Sequence, residues 1–389
     1  MAGKRLPRNV VALGLVSLFT DLSSEMIYPL LPVFLATTLG AGPAALGLIE
    51  GVAEATASLL KLFSGAWSDR VRRRKPLVLL GYSVSTLARP LAGLASSWGH
   101  LLLVRFSDRV GKGVRSSPRD APIAASVPSA DRGRAFGLQR ALDHTGAVLG
   151  PLVAFLLLAG PGLTLRQVFF LSAIPGLLAV ATILFGVRDE GSPAPPHAGG
   201  TFAGGQIPPS FRRYLAVLAL FTLGNASDAF LILRAVDAGV PAPLVPLLWG
   251  GFHAIKAGLS THLGILSDRC DRRKVIAGGW FVYAACYGAW AAVSGPGPTV
   301  AVFLVYGVYA AATEGAERAL VADLVPAERR GTAFGWFHLV TGLAALPASV
   351  LFGAVWGVAG AAAAFGLSAT LALAASLLLF TLRAGPERG

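Results

Sequence analysis

The sequence is short of charge. Asp, Glu, Lys and Arg supply 14% of its 389 residues, against about 25% in an ordinary soluble domain. Two or three soluble domains could be cut from this length, but not with so little polar surface to cover them. Acidic residues are the scarcer sign, 20 against 33 Lys and Arg, so the net charge is +13. Such a balance can mark a nucleic-acid binder. Here the cations gather in short loops on one side of apolar runs, and nucleic acid is not expected as a partner. Cysteine is nearly absent: Cys270 and Cys286 are the two. Cys270 falls in a loop expected to face the cytoplasm, so no disulfide is implied. The six histidines form no metal-ligand pattern with them. There is no GxxxxGK[ST] loop to draw on ATP, and no nucleophile-base or metal constellation. No metal or other cofactor is implied. The chain also has no room for a soluble signalling domain. A membrane enzyme and a non-transporting membrane sensor or scaffold are therefore the weaker readings.

Apolar residues are what the chain has in plenty. They make up 54% of it, and mean hydropathy is +0.65. Runs of about 20 residues or more follow one another to the C-terminus, as bilayer spans do. Hydropathy and helix breakers place twelve spans: 9–38, 44–67, 76–98, 100–126, 133–160 and 165–187, then 213–238, 243–266, 275–294, 298–323, 331–355 and 359–383. The 47 glycines suit such a bundle, because small residues let helices approach closely. One side of the spans receives Lys4, Arg5, Arg8, Arg70 to Lys75, Arg132, Arg134, Arg188, Arg212 and Arg213. It also receives Arg269 to Lys274, Arg329, Arg330, Arg383 and Arg388, while the other has Arg166, Arg234 and almost nothing else. The positive-inside rule makes the first side cytoplasmic, with both termini there, and the even span count agrees. The basic N-terminus resembles a signal peptide. Its apolar run continues to Leu39 with no small-residue cleavage site, so it reads as a retained first span.

The chain repeats itself at half its length. GAWSDRVRRRK (65–75) returns as GILSDRCDRRK (264–274), LFTDLSSE (18–25) as LFTLGNASD (220–228), and VPSADRGRAFG (127–137) as VPAERRGTAFG (325–335). Both copies start on the cytoplasmic side, so the repeat is parallel, about an axis along the membrane normal. Residues rich in Pro, Gly, Ser and Ala separate the copies. The expected organisation is an N-terminal six-helix bundle over 1–188, a cytoplasmic linker over 189–211, and a C-terminal six-helix bundle over 212–389.

This doubled basic loop in a twelve-span chain resembles the major facilitator superfamily, over essentially the whole length. Gly65, Asp69, Arg70, Arg73 and Arg74 match the family's motif between spans 2 and 3. Gly264, Asp268, Arg269, Arg272 and Arg273 match its echo between spans 8 and 9. The motif's glycine before the final basic pair is replaced by Arg72 and Asp271. In span 5, Gly146, Gly150 and Pro151 resemble the GxxxGP core associated with antiporters, with Val153 and Ala154 in place of its trailing glycines. Span 4 has Arg105 where the family's proton-transfer arginine stands, followed by Asp108 and Arg109 instead of the usual polar-glycine pair. DLSSEMIYPLLPVFL and GKGVRSSPRDA look like a bacterial subgroup of such permeases. The resemblance implies a drug-and-proton antiporter type of exporter.

Charged residues inside spans are costly and point to function. Asp21 and Glu25 are four apart in span 1 and share a helical face with Tyr28 beside them. Two close carboxylates in a low dielectric suit a proton acceptor. In span 4, Arg105, Asp108, Lys112, Arg115 and Arg119 form one stripe, with Asp108 and Lys112 spaced as an i,i+4 pair. Such a stripe cannot face lipid. Its cationic excess suits an anionic substrate or the span 1 acids, and static pairing is the simpler alternative. Glu314 and Glu317 of span 10 reverse the sign of the stripe, which suggests ion pairs across the halves. Asp143 of span 5 precedes the GxxxGP run. Asn225 and Asp228 of span 7 take the repeat position of the span 1 acids. Glu50 of span 2 is expected near the outer surface. Asp69 and Asp268 are expected to act as inner latches, with Gly65 and Gly264 allowing close approach. Pro29, Pro32, Pro151 and Pro347 should bend or open their helices. The aromatic residues read as scattered packing or interface groups.

The expectation is an all-α membrane protein of twelve transmembrane helices in two parallel-related six-helix bundles. It is a monomeric secondary transporter in the bacterial inner membrane, exchanging protons for a small organic molecule or ion by alternating access. The alternative is proton- or sodium-coupled uptake of an anionic solute.

Overall fold

The structure, a computed structural model, describes residues 7–70, 75–125, 132–188, 207–326 and 330–381. Among them there are helices and 3-10 turns and no strand. Twelve helical segments follow in order. They are α1 (Arg8–Thr37), α2 (Pro43–Arg70), α3 (Lys75–Leu94), α4 (Trp98–Ala125), α5 (Arg132–Ala159) and α6 (Leu165–Gly186). Then come α7 (Pro209–Asp237), α8 (Val245–Arg269), α9 (Arg272–Ala292), α10 (Pro296–Asp323), α11 (Arg330–Ala359) and α12 (Ala361–Thr381). Each expected span corresponds to one of them. Nine described stretches are long and apolar enough to cross a bilayer, the last holding both α11 and α12. The helices outside those nine are α4, which carries the charged stripe, and α8, which carries His253, Lys256 and His262.

The ends of these helices follow local chemistry. Thr164 and Gln167 form a capping box at the start of α6. Gly360 joins α11 to α12 in a one-residue turn at φ 86°, a conformation open to glycine. Of the prolines expected to bend or open their helices, those of α1 accompany an interruption. Pro29 sits in a 3-10 turn, Tyr28–Leu30, inside α1, whereas α5 and α11 run unbroken through Pro151 and Pro347. The marked break is in α7, between Gly224 and Ala229. The residues there, Asn-Ala-Ser-Asp, favour turns because their side chains compete for backbone partners. The opened backbone is satisfied: Tyr283 Oη donates to the Gly224 carbonyl at 2.8 Å, and the Ser227 N–H donates to Ser349 Oγ at 3.3 Å.

Two compact units can be delineated. One comprises Met1–Leu39, Thr56–Gly199 and Pro243–Gly250; the other comprises Gly40–Ala55, Gly200–Ala242 and Gly251–Gly389. In the first, α1 packs along α5 and α6, and α3 along α4. With no hydrophobic drive between helices in lipid, close packing must hold them. A Cβ at Gly146 would lie 2.5 Å from the Leu18 carbonyl oxygen, and one at Gly150 would lie 2.8 Å from that of Leu22. Basic side chains close the helix ends. Arg8 donates to the carbonyls of Phe185 (2.7 Å) and Gly186 (3.1 Å), and Lys75 to those of Leu184 (2.9 Å) and Val187 (2.7 Å). Cations at the C-terminus of α6 also meet its dipole favourably. In the second unit, α9 packs on α10 and α12, and the core is aromatic.

Candidate functional site

The first unit gathers its intramembrane charges around α1. Asp21 of α1 and Asp143 of α5 are neighbouring acids, with Glu25 and Lys112 also close to Asp21. The glycines of α5 make this meeting possible. A Cβ at Gly146 would stand 3.0 Å from Asp21 Cβ, and one at Gly150 would stand 2.9 Å from Glu25 Cβ. The GxxxGP run is thus the surface on which both acids of α1 rest. Pro151 faces the start of α8, 3.6 Å from a Cβ built at Gly250.

Glu25 accepts from Trp249 Nε1 at 2.8 Å. The Trp249 ring tilts against Tyr28, centroids 5.1 Å apart, and the Arg105 guanidinium lies 5.4 Å from the Tyr28 ring centre. Arg105, Asp108 and Arg115 are all buried, as their stripe required. Arg119 donates to Ser17 Oγ at 3.3 Å.

The partner of Asp108 differs from the spacing-based expectation. Asp108 accepts from Arg89 Nε at 2.9 Å, and Arg105 lies 3.8 Å away. Arg89 also donates through Nη1 to the Thr20 carbonyl at 3.1 Å, one residue before Asp21. Helical spacing brings Asp108 within reach of Lys112 but does not choose between Lys112 and a guanidinium arriving from another helix. Arg89 escaped the sequence reading although a lone cation in an apolar run is itself a signal. Its signal was the following Pro90, which places it in the 3-10 segment Arg89–Leu94. Trp249 escaped as well, since nothing local ties it to Glu25.

The second unit has its own polar centre. Asp228 accepts from Tyr306 Oη at 2.7 Å, and Asn225 Nδ2 donates to Tyr309 Oη at 3.1 Å. Lys256, Glu50 and Glu54 are electrostatic neighbours of Asp228. Glu50 is buried and accepts from Ser227 Oγ at 3.3 Å. Glu314 pairs with Lys256 at 2.9 Å and with Arg318 at 3.5 Å, and Glu317 accepts from Trp280 Nε1 at 2.9 Å. Both glutamates therefore find partners within their own unit. The aromatic residues are not scattered. Phe221, Trp280, Tyr283, Tyr287, Trp290 and Tyr306 form one buried network, with Phe221 stacked on Trp280 at 4.3 Å. The signal was the spacing of Trp280, Tyr283, Tyr287 and Trp290 along one face of α9.

The basic loops are partly described. Arg73 and the side chains of Gly65, Asp69, Arg70 and Asp268 lie outside the described residues. Gly264 does not serve a close approach: among the described residues nothing comes within 4 Å of a Cβ built there. Arg269 is exposed in the last turn of α8. Arg272 pairs with Asp323 at the end of α10 and reaches the Ala319 carbonyl at 3.4 Å. Asp271, at the position of the family's glycine, caps α9. It accepts from the Arg273 N–H at 3.0 Å and from Arg273 Nη2 at 2.6 Å.

Helices long and apolar enough for a bilayer, with buried carboxylates and guanidinium groups among them, are the pattern of a membrane protein whose function lies in those charges. The sequence profile of the Major Facilitator Superfamily matches residues 13–251 and again 215–389, and the chain belongs to that superfamily. It is 36% identical over 362 residues to an MFS-type transporter of Methanocaldococcus jannaschii, covering 91% of this chain and 89% of that one. It is 29% identical over 191 residues to the multidrug resistance protein MdtG of Escherichia coli, covering 48% and 46%. Among solved structures, the nucleoside transporter NupG superposes with a TM-score of 0.80 at 13% identity, covering 96% of this chain and 99% of that one. A bacterial homolog of the human lysosomal transporter Spinster gives 0.73 at 17% identity, covering 99% and 100%. These likenesses show the fold.

Proposed function

We propose that this transporter exports a small organic molecule or ion in exchange for protons, by alternating access between two six-helix bundles. It works as a monomer in the inner membrane with both termini in the cytoplasm. The observation that carries this reading is the gathering of Asp21, Glu25 and Asp143 where α1 rests on the glycines of α5. A carboxyl pair inside the membrane is a place where a proton can be held and released. It rests on the glycines of the antiporter-like run, and the partial likeness to a multidrug resistance protein supports the direction of transport. A second reading, uptake of an anionic solute, is favoured by Arg115. Its guanidinium is buried against the Tyr82 ring at 4.1 Å, and its Nη1 has no acceptor among the described residues.

Proteoliposomes carrying an internal pH dye, challenged with a panel of cations, organic anions and amphipathic drugs, separate the two. Export requires a cationic or neutral compound to drive proton movement in the opposite direction. Proton movement only with anions, and in the same direction, supports uptake. Under the export reading Asp21→Asn and Asp143→Asn each abolish the proton response while expression and folding are kept. An unchanged response in both removes the pair from the mechanism.

A further inference from the structure

We propose that Arg115, Tyr82 and Thr20 of the first unit hold a small monovalent anion of halide size as a resident ion. The site goes beyond both transport readings, because it keeps its ion whichever way the cargo moves. Arg115 of α4 is a charge that no acid answers. It is 7% exposed, its Nη1 has no acceptor, and it enters no ion pair among the described residues. Asp108, two turns earlier on the same helix, accepts from Arg89 Nε at 2.9 Å, with Arg105 at 3.8 Å. What Arg115 does have is the face of Tyr82, with its Cζ 4.1 Å from the ring centre. A ring face attracts a cation through its quadrupole but brings no negative charge. Buried charges are paired.

Packing holds the guanidinium where it is. α3 and α4 meet backbone to backbone: a Cβ at Gly111 would lie 2.5 Å from the Gly81 carbonyl oxygen. Arg115 stands one turn beyond Gly111, and Tyr82 follows Gly81. Tyr82 is 1% exposed and Thr20 3%, and neither hydroxyl has a partner among the described residues. α1 lies along the same stretch of α3. Val16 and Tyr82 belong to one buried cluster, and the Thr20 carbonyl accepts from Arg89 Nη1 at 3.1 Å. Thr20 is one turn beyond Val16 and shares its face. Unpartnered donors from α1, α3 and α4 thus come to one seam. All three groups can give a hydrogen. Water would accept those hydrogens without meeting the charge, whereas an anion does both. One guanidinium calls for one negative charge, and surroundings this closed admit an ion rather than an organic solute. With a resident ion there, Arg115 no longer argues for an anionic cargo.

The signature of such a site is a stability that depends on the anion in solution. In sodium gluconate, whose anion is too bulky for the seam, the unaltered protein carries an uncompensated buried cation. Replacing gluconate by bromide at constant ionic strength is expected to raise its melting temperature in detergent along a saturating curve. The rise should reach about 2 °C or more at a hundredfold excess over half-saturation. Arg115→Gln removes the cation together with the reason for the ion. It is expected to melt at least as high as the unaltered protein in gluconate, and below it in saturating bromide. Thr20→Val and Tyr82→Phe each take away a hydroxyl and keep the shape. Each is expected to raise half-saturation about two- to tenfold, the worth of one hydrogen bond.

Melting curves of the full-length protein and these variants along a bromide-for-gluconate series make the test. A crossing of the Arg115→Gln and unaltered curves, with weaker binding in the hydroxyl variants, supports the site. Curves that run parallel overturn it, because bromide then acts through the solvent and not at Arg115. Arg115→Gln melting below the unaltered protein already in gluconate also overturns it, since the guanidinium would then have a partner within the protein. If Arg115→Gln cannot be purified, the hydroxyl variants decide, and an unmoved half-saturation in both overturns the inference. Bromide-loaded proteoliposomes tell a resident ion from cargo. Release no faster than from protein-free liposomes supports a resident ion. Faster release overturns it and returns Arg115 to the uptake reading.

Discussion

The two units solve the same packing problem with different chemistry. The offset that lays VPSADRGRAFG (127–137) on VPAERRGTAFG (325–335) also lays Gly81 on Gly279 and Arg115 on Thr313. The contacts agree. A Cβ at Gly81 would meet Arg115 Cβ at 2.7 Å, and one at Gly279 would meet Thr313 Cγ2 at 2.6 Å. The seam between α3 and α4 is therefore repeated between α9 and α10. On that shared frame, Arg89 and Asp108 fall on Tyr287 and Tyr306, Arg105 on Phe303, and Tyr82 on Trp280. A buried ion pair in one unit is a pair of neighbouring tyrosine rings, 6.2 Å apart, in the other. Packing set the backbone of both copies, while the polar content was free to diverge. One copy sets an ion pair at this seam; the other buries rings that hold Asp228 by a phenol hydrogen bond and Glu317 by an indole one.

The largest expected effect comes from breaking a seam at its tightest point. Gly146→Leu puts a side chain where even a Cβ would sit 2.5 Å from the Leu18 carbonyl oxygen. Overpacking of a well-packed site costs about 1–3 kcal/mol, and more where backbone must move. Loss of folded protein, read as yield and melting temperature in detergent, is the expected outcome. Gly264→Leu is the control, since nothing described lies within 4 Å of its Cβ. A melting temperature for Gly146→Leu as high as that of Gly264→Leu would mean that α5 does not rest on α1 through this glycine.

The next effect sharpens the comparison at equivalent positions. Arg89→Leu leaves Asp108 without its 2.9 Å partner in a buried setting, and breaking a buried pair costs about 3–5 kcal/mol. Tyr287→Phe, at the matching place in the second unit, removes a hydroxyl and keeps the ring stacked on Tyr283 at 4.1 Å. That hydroxyl is buried with no hydrogen-bond partner among the described residues, so a loss close to zero is expected there. Chemical denaturation of the two variants in one detergent compares the losses. Equal losses would mean that the ion pair is no more a part of the fold than the tyrosine hydroxyl.

Most of the fold was legible because the bilayer allows so few solutions. Apolar runs of bilayer length, loop cations and a half-length repeat were enough to place every helix, including α4 and α8, whose charge hides them from a hydropathy criterion. The acids of α1 were legible for the same reason: a carboxylate in an apolar run is conspicuous. Their partners were not. Asp143, Arg89 and Trp249 reach Asp21, Asp108 and Glu25 from other helices, and tertiary packing chooses among groups that local spacing merely brings near. The break in α7 could have been found, since Asn225, Ser227 and Asp228 are turn formers in a row. Aligning them with the unbroken LFTDLSSE of α1 concealed it.

The smallest effect tests the loop, where Arg72 of one half stands opposite Asp271 of the other at the position of the family's glycine. Asp271 stands where the family has glycine, and its backbone, at φ −59° and ψ 114°, needs no glycine. Its carboxylate instead caps α9 and accepts from the Arg273 backbone and guanidinium. An N-cap carboxylate contributes about 1 kcal/mol relative to alanine, so Asp271→Ala is expected to lower stability by that order at neutral pH. The hydrogen bonds from Arg273, outweighing the effect of burial, hold the Asp271 carboxyl below its usual range. A carboxylate whose proton affinity is lowered by folding stabilises the protein above its unfolded titration range. That contribution is lost as pH falls through the lowered folded value. The gap between the unaltered protein and Asp271→Ala should therefore close as the pH is taken from neutral to below the ordinary aspartate range. Melting temperatures measured along that pH series check it. A gap that stays constant would mean that the cap works without its charge, as asparagine would, and that Arg273 adds nothing through Asp271.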